Sequence, residues 1–174
     1  LNQLESPPDM IITPVGGGGL SSGLVKYFNS YEIQFKFCEP MGGRSLFQSL
    51  KHKKLITLDY VDNFVDGAAV ARIGDQNFNI LKNQNIENVL GIPEGRICAT
   101  ITEMLNIEGI VLEPAGALAI DALKDIRDQI VGKTIVCIAS GGNFDFERLP
   151  DIKERALRFE GLKKYFILRM PQRP

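Results

Sequence analysis

Short apolar runs alternate along the chain with segments in which apolar residues recur every three or four positions. The runs at Met10–Val15, Ile33–Cys38 and Thr134–Ala139 have the length of strands, and each ends near glycine or proline. The periodic segments predict helices, which lie at Leu20–Asn29, Leu46–Lys51, Gln76–Lys82, Glu94–Leu105, Ala115–Gln129 and Leu149–Leu157. This alternation predicts an α/β fold with a mostly parallel sheet and helices on both faces.

The pattern also suggests how the chain divides into domains. The run Thr134–Ala139 is apolar on both faces, which is typical of a central strand in a parallel sheet. Arg158–Gly161 is predicted to be a linker, and Tyr165–Met170 to be a new strand. We therefore expect residues 1–157 to belong to one domain and residues 158–174 to begin a second.

Composition excludes several classes of protein. The 20 basic and 21 acidic residues leave a net charge of −1, and the short basic run at residues 51–54 is typical of a solvated loop, so neither a nucleic-acid nor a membrane partner is expected. No apolar run approaches the roughly 20 residues that span a bilayer, and Leu1–Pro8 lacks a signal-peptide pattern. The three cysteines, Cys38, Cys98 and Cys137, are far apart in the sequence and suggest neither a zinc site nor disulfide bonds. They favour a reducing, cytoplasmic compartment.

The strongest chemical signal is a run of four glycines, Gly16–Gly19, between a predicted strand and a predicted helix. Without Cβ atoms the backbone can turn its N–H groups towards an anion, and the following helix adds the partial positive charge of its amino terminus. A merely flexible turn is the alternative, but it leaves the entropic cost of four glycines unexplained. Neither a Walker loop nor a G-x-G-x-x-G fingerprint is present, so a phosphate of something other than a nucleotide is expected.

Two further segments of small residues could contribute to a site. Ser140–Asn143 follows an apolar strand, where parallel sheets bind ligands, although such a segment is often only a turn. Glu113–Ala117 places a carboxylate and a proline at a predicted helix start, which is equally explained as a favourable charge at that terminus. Alone, neither segment identifies a function.

Together, in this order and at these separations, the three segments resemble the fold-type-II enzymes that use pyridoxal 5'-phosphate (PLP). These enzymes have a large domain like that of tryptophan synthase β, here incomplete, and the resemblance is strongest to the threonine and serine dehydratases. Other similar stretches lie at residues 38–40, 64–74 and 160–167. The last resembles the opening of the ACT-like regulatory domain of biosynthetic threonine dehydratases, an allosteric lyase family.

The resemblance implies a role for particular residues. Backbone N–H groups of the glycine loop would bind the cofactor phosphate, Gly67 would lie beside the ring with Glu113 nearby, and the Ser140 hydroxyl would bond the pyridine nitrogen. The loop residues implied are Gly16, Gly17, Gly18, Gly19 and Leu20. A neutral serine at the nitrogen makes the ring a weaker electron sink than a carboxylate would, which favours loss of a β-hydroxyl.

The implied reaction converts L-threonine, or L-serine as the alternative substrate, to a 2-oxo acid and ammonia. With threonine the product is 2-oxobutanoate, the first step towards isoleucine, and the enzyme would be a homo-oligomer, a dimer or tetramer. The Schiff-base lysine of the family precedes the glycine loop by more than a hundred residues, so we expect no catalytic lysine in this chain. Ser49–Lys51 only imitates its motif, and His52 lies in the same basic run.

The sequence also bears on metal binding and on alternative functions. Some relatives bind a divalent cation through a glutamate and an aspartate six residues later, but here Glu39 is followed by Ser45, and a lone carboxylate is a poor site. We expect no metal. Rival interpretations are another enzyme of the same fold type, such as a catabolic dehydratase, a serine racemase or a cysteine synthase, and a non-catalytic phosphate-binding module.

Overall fold

The computed structural model describes residues 3–170, and four parallel strands form its single described sheet. The strands are β1 Met10–Pro14, β2 Gln34–Pro40, β3 Val89–Ile92 and β4 Ile135–Cys137, arranged in the order β3-β2-β1-β4. The helices are α1 Gly19–Tyr27, α2 Ser45–Lys51, α3 Asp75–Leu81, α4 Glu94–Glu103, α5 Pro114–Asp121 and α6 Leu149–Phe159. The α/β class and the parallel sheet are confirmed.

The sheet separates two apolar cores, because alternate side chains of each strand point to opposite faces. On one face Met10 and Ile12 pack with apolar side chains of α4, α5 and α6. On the other, Ile11 and Phe37 pack with those of α1, α2 and α3. Helices therefore cover both faces, as the sequence predicts.

The strand predictions need two corrections. Val89–Ile92 was not predicted as a strand, but it pairs in parallel with β2, Phe37 being opposite Val89. The apolar run at residues 134–139 forms only the three-residue β4, which lies at an edge of the described sheet and is half-buried rather than central. Every residue of β1 is buried, and this strand lies between β2 and β4 in the described sheet.

Two predicted helices change to another helical geometry before their predicted last residues. The helix expected at Ala115–Gln129 ends at Asp121 and is followed by two 3-10 turns. Between these turns Ile126 leaves helical geometry (φ −121°, ψ 20°), with its side chain buried in the core. The helix expected at Glu94–Leu105 is α-helical to Glu103 and then widens into a π-helical turn. Gly109 ends that turn with a left-handed backbone (φ 67°).

The strand predicted at Tyr165–Met170 is not formed. Helix α6 runs on to Phe159, into the predicted linker, and residues 163–170 form neither a helix nor a strand. A strand needs a neighbour for its N–H and C=O groups, and this segment has none within residues 3–170. Its large apolar side chains are accordingly exposed, Ile167 to 93%. Residues 171–174 lie outside the described residues.

None of the helices between residues 3 and 170 combines the length and the apolar character that crossing a lipid bilayer requires.

Candidate cofactor site

A cavity of about 270 Å³ lies where the chain leaves β1 and β4. These strands are parallel neighbours, so the segments that follow them meet at one edge of the sheet. The cavity lining includes all eight residues that the sequence suggested for cofactor binding, namely Gly16, Gly17, Gly18, Gly19, Leu20, Gly67, Glu113 and Ser140. It also includes four that were not suggested: Pro14, Ser21, Ala68 and Ala115.

The glycine run makes the sharp connection between β1 and α1. Gly18 has a left-handed backbone (φ 83°), which favours glycine over any residue with a Cβ. A Cβ added to Gly17 or Gly19 would meet no atom of the chain within 4 Å, so packing inside the chain does not require glycine there. Space beside these two residues is open to a ligand.

Unpaired backbone donors surround this space. Among the described residues, no acceptor bonds the N–H groups of Gly17, Gly18, Gly19 or Leu20. The first N–H groups of a helix lack partners within the helix, and the helix dipole adds partial positive charge at that end. No lysine, arginine or histidine is among the described lining residues, so the cavity offers an anion backbone N–H groups and serine hydroxyls in place of a cationic side chain.

Another part of the cavity lining depends on close packing between the loop after β4 and the start of α5. A Cβ at Gly116 would lie 2.2 Å from the carbonyl oxygen of Gly141, and a Cβ at Gly141 would overlap the carboxyl group of Glu113. The Gly141 carbonyl also accepts a hydrogen bond from the N–H of Glu113, at 3.3 Å. The loop after β4 is therefore seated directly on the start of α5, and Ser140 is held at the cavity mouth.

The structure thus presents a glycine-lined anion cradle facing a serine hydroxyl, which fits a phosphorylated cofactor with a polar ring atom. Residues 1–141 match the profile of the family described as pyridoxal-phosphate dependent enzymes. The chain belongs to this family. The family's cofactor is PLP, so the predicted cofactor class is confirmed.

Within this family, the chain is similar to threonine dehydratases and to a serine racemase. A biosynthetic L-threonine dehydratase of Staphylococcus aureus is 47% identical over 95% of the chain and 40% of its own length. The processed form of threonine deaminase isoform 2 from Solanum lycopersicum has a TM-score of 0.80 at 33% identity, over 89% of this chain and 46% of that one. Maize serine racemase has a TM-score of 0.75 at 28% identity, over 89% and 49%. The chain therefore spans about 40% of the length of the curated relative.

A larger groove, of about 610 Å³, lies elsewhere, between α4 and α6. Its lining mixes both signs of charge with apolar groups, as Glu103, Lys153 and Leu157 illustrate. It contains none of the glycine-loop donors. The groove is the larger of the two, but only the smaller cavity has the glycine-loop N–H groups that a PLP phosphate requires. We therefore take the smaller cavity as the candidate cofactor site.

Glu39, the carboxylate considered for a metal, has a structural role in this fold. It lies within β2, is fully buried, and accepts hydrogen bonds from the N–H groups of Leu46 (2.7 Å) and Phe47 (2.9 Å) at the start of α2. Both carboxyl oxygens are therefore occupied by the chain itself. Ser45, which stands where some relatives have an aspartate, is buried beside them.

The stability of the protein should depend on pH through Glu39. Burial raises its pKa from 4.5 to about 7, although the two N–H bonds and Arg44 act in the opposite direction. Since the unfolded chain releases this proton near pH 4.5 and the folded chain near pH 7, the stabilisation is complete below pH 4.5 and is lost as pH rises to 7. We expect the free energy of unfolding to fall by about 2 kcal/mol between roughly pH 5 and 7.

Urea denaturation at several pH values measures this dependence, with Glu39→Gln as the comparison. The variant lacks the titrating group, so its unfolding free energy should change less across the same interval. Equal pH slopes in the two proteins would show that Glu39 does not titrate in this range.

The other residues weighed from the sequence lie apart from the cavity. Lys51 and His52 are exposed at the end of α2 and are not among the lining residues. The cysteines are free, and burial raises the pKa of Cys137 to about 11 and that of Cys98 to about 12. Such thiols are protonated at neutral pH and are poor nucleophiles.

Asn77 is a residue near the site that the sequence did not suggest. It lies on α3, more than fifty positions after the glycine run, and its amide bonds the Gly17 carbonyl. Only the folded structure brings these residues together, so no local pattern could have indicated it.

Proposed function

We propose that the full-length protein containing this chain is a PLP-dependent threonine ammonia-lyase, which converts L-threonine to 2-oxobutanoate and ammonia. The observation that carries the proposal is the 47% identity to a biosynthetic L-threonine dehydratase, combined with the convergence of all eight suggested residues on one cavity. L-serine is a second possible substrate. In this role the protein would catalyse the first step of isoleucine biosynthesis, in the cytoplasm and as a homo-oligomer.

Each part of the cavity has a proposed task. The N–H groups of Gly16 to Leu20 would bind the cofactor phosphate, with the amino terminus of α1 adding its dipole. Ser140 would bond the pyridine nitrogen through its hydroxyl, which has no other partner among the described side-chain hydrogen bonds. When bound, PLP supplies an electron sink for negative charge at the substrate α-carbon. A neutral serine keeps that sink moderate, which favours loss of the β-hydroxyl.

The lysine that the reaction needs is not among the described residues that line the cavity. We propose that a part of the protein outside these 174 residues supplies it, so that the chain alone would be inactive. We also propose that residues 1–157 belong to the catalytic domain, and that residues 158–174 lead into an ACT-like regulatory domain.

The reaction is tested with purified full-length protein, PLP and L-threonine, by measuring 2-oxobutanoate. L-Serine is assayed in parallel for pyruvate and for D-serine, since serine racemases share the fold. Formation of 2-oxobutanoate supports the proposal. D-Serine without any 2-oxo acid would instead indicate a racemase, and no reaction with PLP bound would overturn the proposed lyase activity.

The phosphate cradle is tested by Gly17→Ala. The added Cβ meets no atom of the chain within 4 Å, so the thermal midpoint should hardly change. It enters space that we assign to the phosphate, so PLP affinity should fall on the order of tenfold, about 1.4 kcal/mol. PLP titration followed by absorbance measures the affinity, and an unchanged value would place the phosphate elsewhere.

A further inference from the structure

The carbonyl of Gly17 is fixed by two donors from the region of α3. The N–H of Gly74 lies 3.0 Å from this oxygen and the Asn77 side-chain Nδ2 lies 2.7 Å from it. On its other side, Asn77 Oδ1 accepts a hydrogen bond from the Ser22 hydroxyl at 2.9 Å. One amide thus ties the glycine loop and helix α1 to helix α3.

Fixing this carbonyl also fixes the direction of a backbone donor. In a trans peptide the C=O of one residue and the N–H of the next point to opposite sides, and no cis peptide occurs among the described residues. Because the Gly17 oxygen points to α3, the N–H of Gly18 points away from α3. Gly18 lines the cavity, so this N–H is directed to the space assigned to the phosphate.

The contact leaves the loop little room to shift towards α3. A Cβ on Gly18 would lie 3.1 Å from Asn77 Cβ and 3.2 Å from Ile73 Cγ2. Side chains of α3 and of the residues just before it therefore pack against one side of the loop, while the other side is open to a ligand.

We propose that Asn77 is a positioning residue for the phosphate cradle, which it orients by holding the Gly17–Gly18 peptide. The proposal rests on the proposed function, because it assigns the phosphate to the glycine loop. The Asn77 amide both donates to the Gly17 carbonyl and accepts from the Ser22 hydroxyl. Aspartate keeps the acceptor but loses the donor, and alanine loses both.

Asn77→Ala should weaken phosphate binding without unfolding the glycine loop, because the Gly74 N–H still donates a hydrogen bond to the Gly17 carbonyl. A single hydrogen bond of this kind corresponds to a change in affinity of up to about tenfold. Pyridoxal, which lacks the phosphate, should bind equally well to wild type and variant.

The test titrates full-length protein, freed of cofactor, with PLP, pyridoxal and inorganic phosphate. Asn77→Ala should bind PLP and phosphate about tenfold more weakly than wild type, with pyridoxal unaffected. Asn77→Asp should bind both more weakly still, because its carboxylate also repels the Gly17 carbonyl and the phosphate. Asn79→Ala is the matched control, since Asn79 is exposed on the same helix, and it should match wild type. Ser22→Ala removes the hydrogen bond to Asn77 Oδ1 and should cause a smaller loss of PLP affinity. This variant tests the proposal if the Asn77 variants fold poorly.

The outcomes separate this proposal from the proposed function. Unchanged PLP affinity in Asn77→Ala and Ser22→Ala, or an equal loss for PLP and pyridoxal, would overturn the role of Asn77 alone. If wild type binds phosphate but not PLP, the proposed function fails and the phosphate affinities still judge Asn77. If wild type binds neither, both proposals fail.

Discussion

Gly116→Ala should destabilise the protein by about 3 kcal/mol and weaken PLP binding at least on the order of tenfold. Two effects compete. Alanine has a higher helix propensity than glycine, by about 1 kcal/mol. Against this, the new Cβ would lie 2.2 Å from the Gly141 carbonyl oxygen and 3.1 Å from the Gly141 nitrogen. Because these are backbone atoms in a packed loop, they cannot rotate away, and overpacking dominates.

The loss of PLP affinity is expected because Gly141 is next to Ser140. Moving the loop after β4 to relieve the clash would also move Ser140, which lines the cavity. PLP titration and thermal unfolding of the full-length variant measure the two effects. An alanine variant with wild-type stability and wild-type PLP affinity would show that the Gly116–Gly141 contact does not support the site.

Gly23→Ala is the matched control for this prediction. Gly23 also lies within a helix, α1, but is exposed, and its added Cβ would meet nothing within 4 Å. Here only the propensity acts, so the variant should be more stable by about 0.5 to 1 kcal/mol. Opposite signs in the two variants would identify the clash, and not helix geometry, as the cause.

Sequence patterns were sufficient for the parts of the fold that are encoded locally. The six helices start within one residue of their predicted first residues, because each start follows a turn, a proline or a glycine that local chemistry determines. The glycine run was recognisable for the same reason, since four glycines in succession have few purely structural uses. The family resemblance then indicated Gly67, Glu113 and Ser140, which line the same cavity.

Features that depend on distant contacts were not predictable in this way. Strand β3 has only four residues, too few for an alternation to be recognised, and its pairing with β2 defines it. The apolar run after residue 134 indicated a buried strand but not its position at the sheet edge, because burial and sheet order are set by the whole fold. Asn77 joins the site only through the packing of α3 on the glycine loop.

A second large loss of stability is expected from changes at the buried carboxylate of Asp121, where α4 packs against α5. The Asp121 side chain is fully buried, and Arg96 Nε lies 2.7 Å from its Oδ1. The Thr100 hydroxyl donates to Oδ2 at 2.6 Å, and Lys124 Nζ lies 3.5 Å from the same oxygen. Arg96 also bonds Asp125, at 2.7 Å. This cluster compensates a charge that burial alone would make costly.

Arg96→Met should therefore destabilise the protein by about 3 to 5 kcal/mol, because it keeps the packing volume but leaves Asp121 with a weakened set of partners. The surface pair Arg72–Asp75 provides the control, since its side chains are 42% and 69% exposed. Arg72→Met should change the free energy of unfolding far less than Arg96→Met, because water screens an exposed ion pair. Urea denaturation of both full-length variants measures the difference.

The double variant Arg96→Met with Asp121→Asn distinguishes an unpaired charge from lost packing. If the cost of Arg96→Met comes from the buried carboxylate, a neutral asparagine should restore part of the stability, since it can still accept from Thr100. If packing of the arginine stem is responsible, the second change should add its own cost instead. An Arg96→Met protein within about 1 kcal/mol of wild type would show that Thr100 and Lys124 suffice to hold the charge at Asp121.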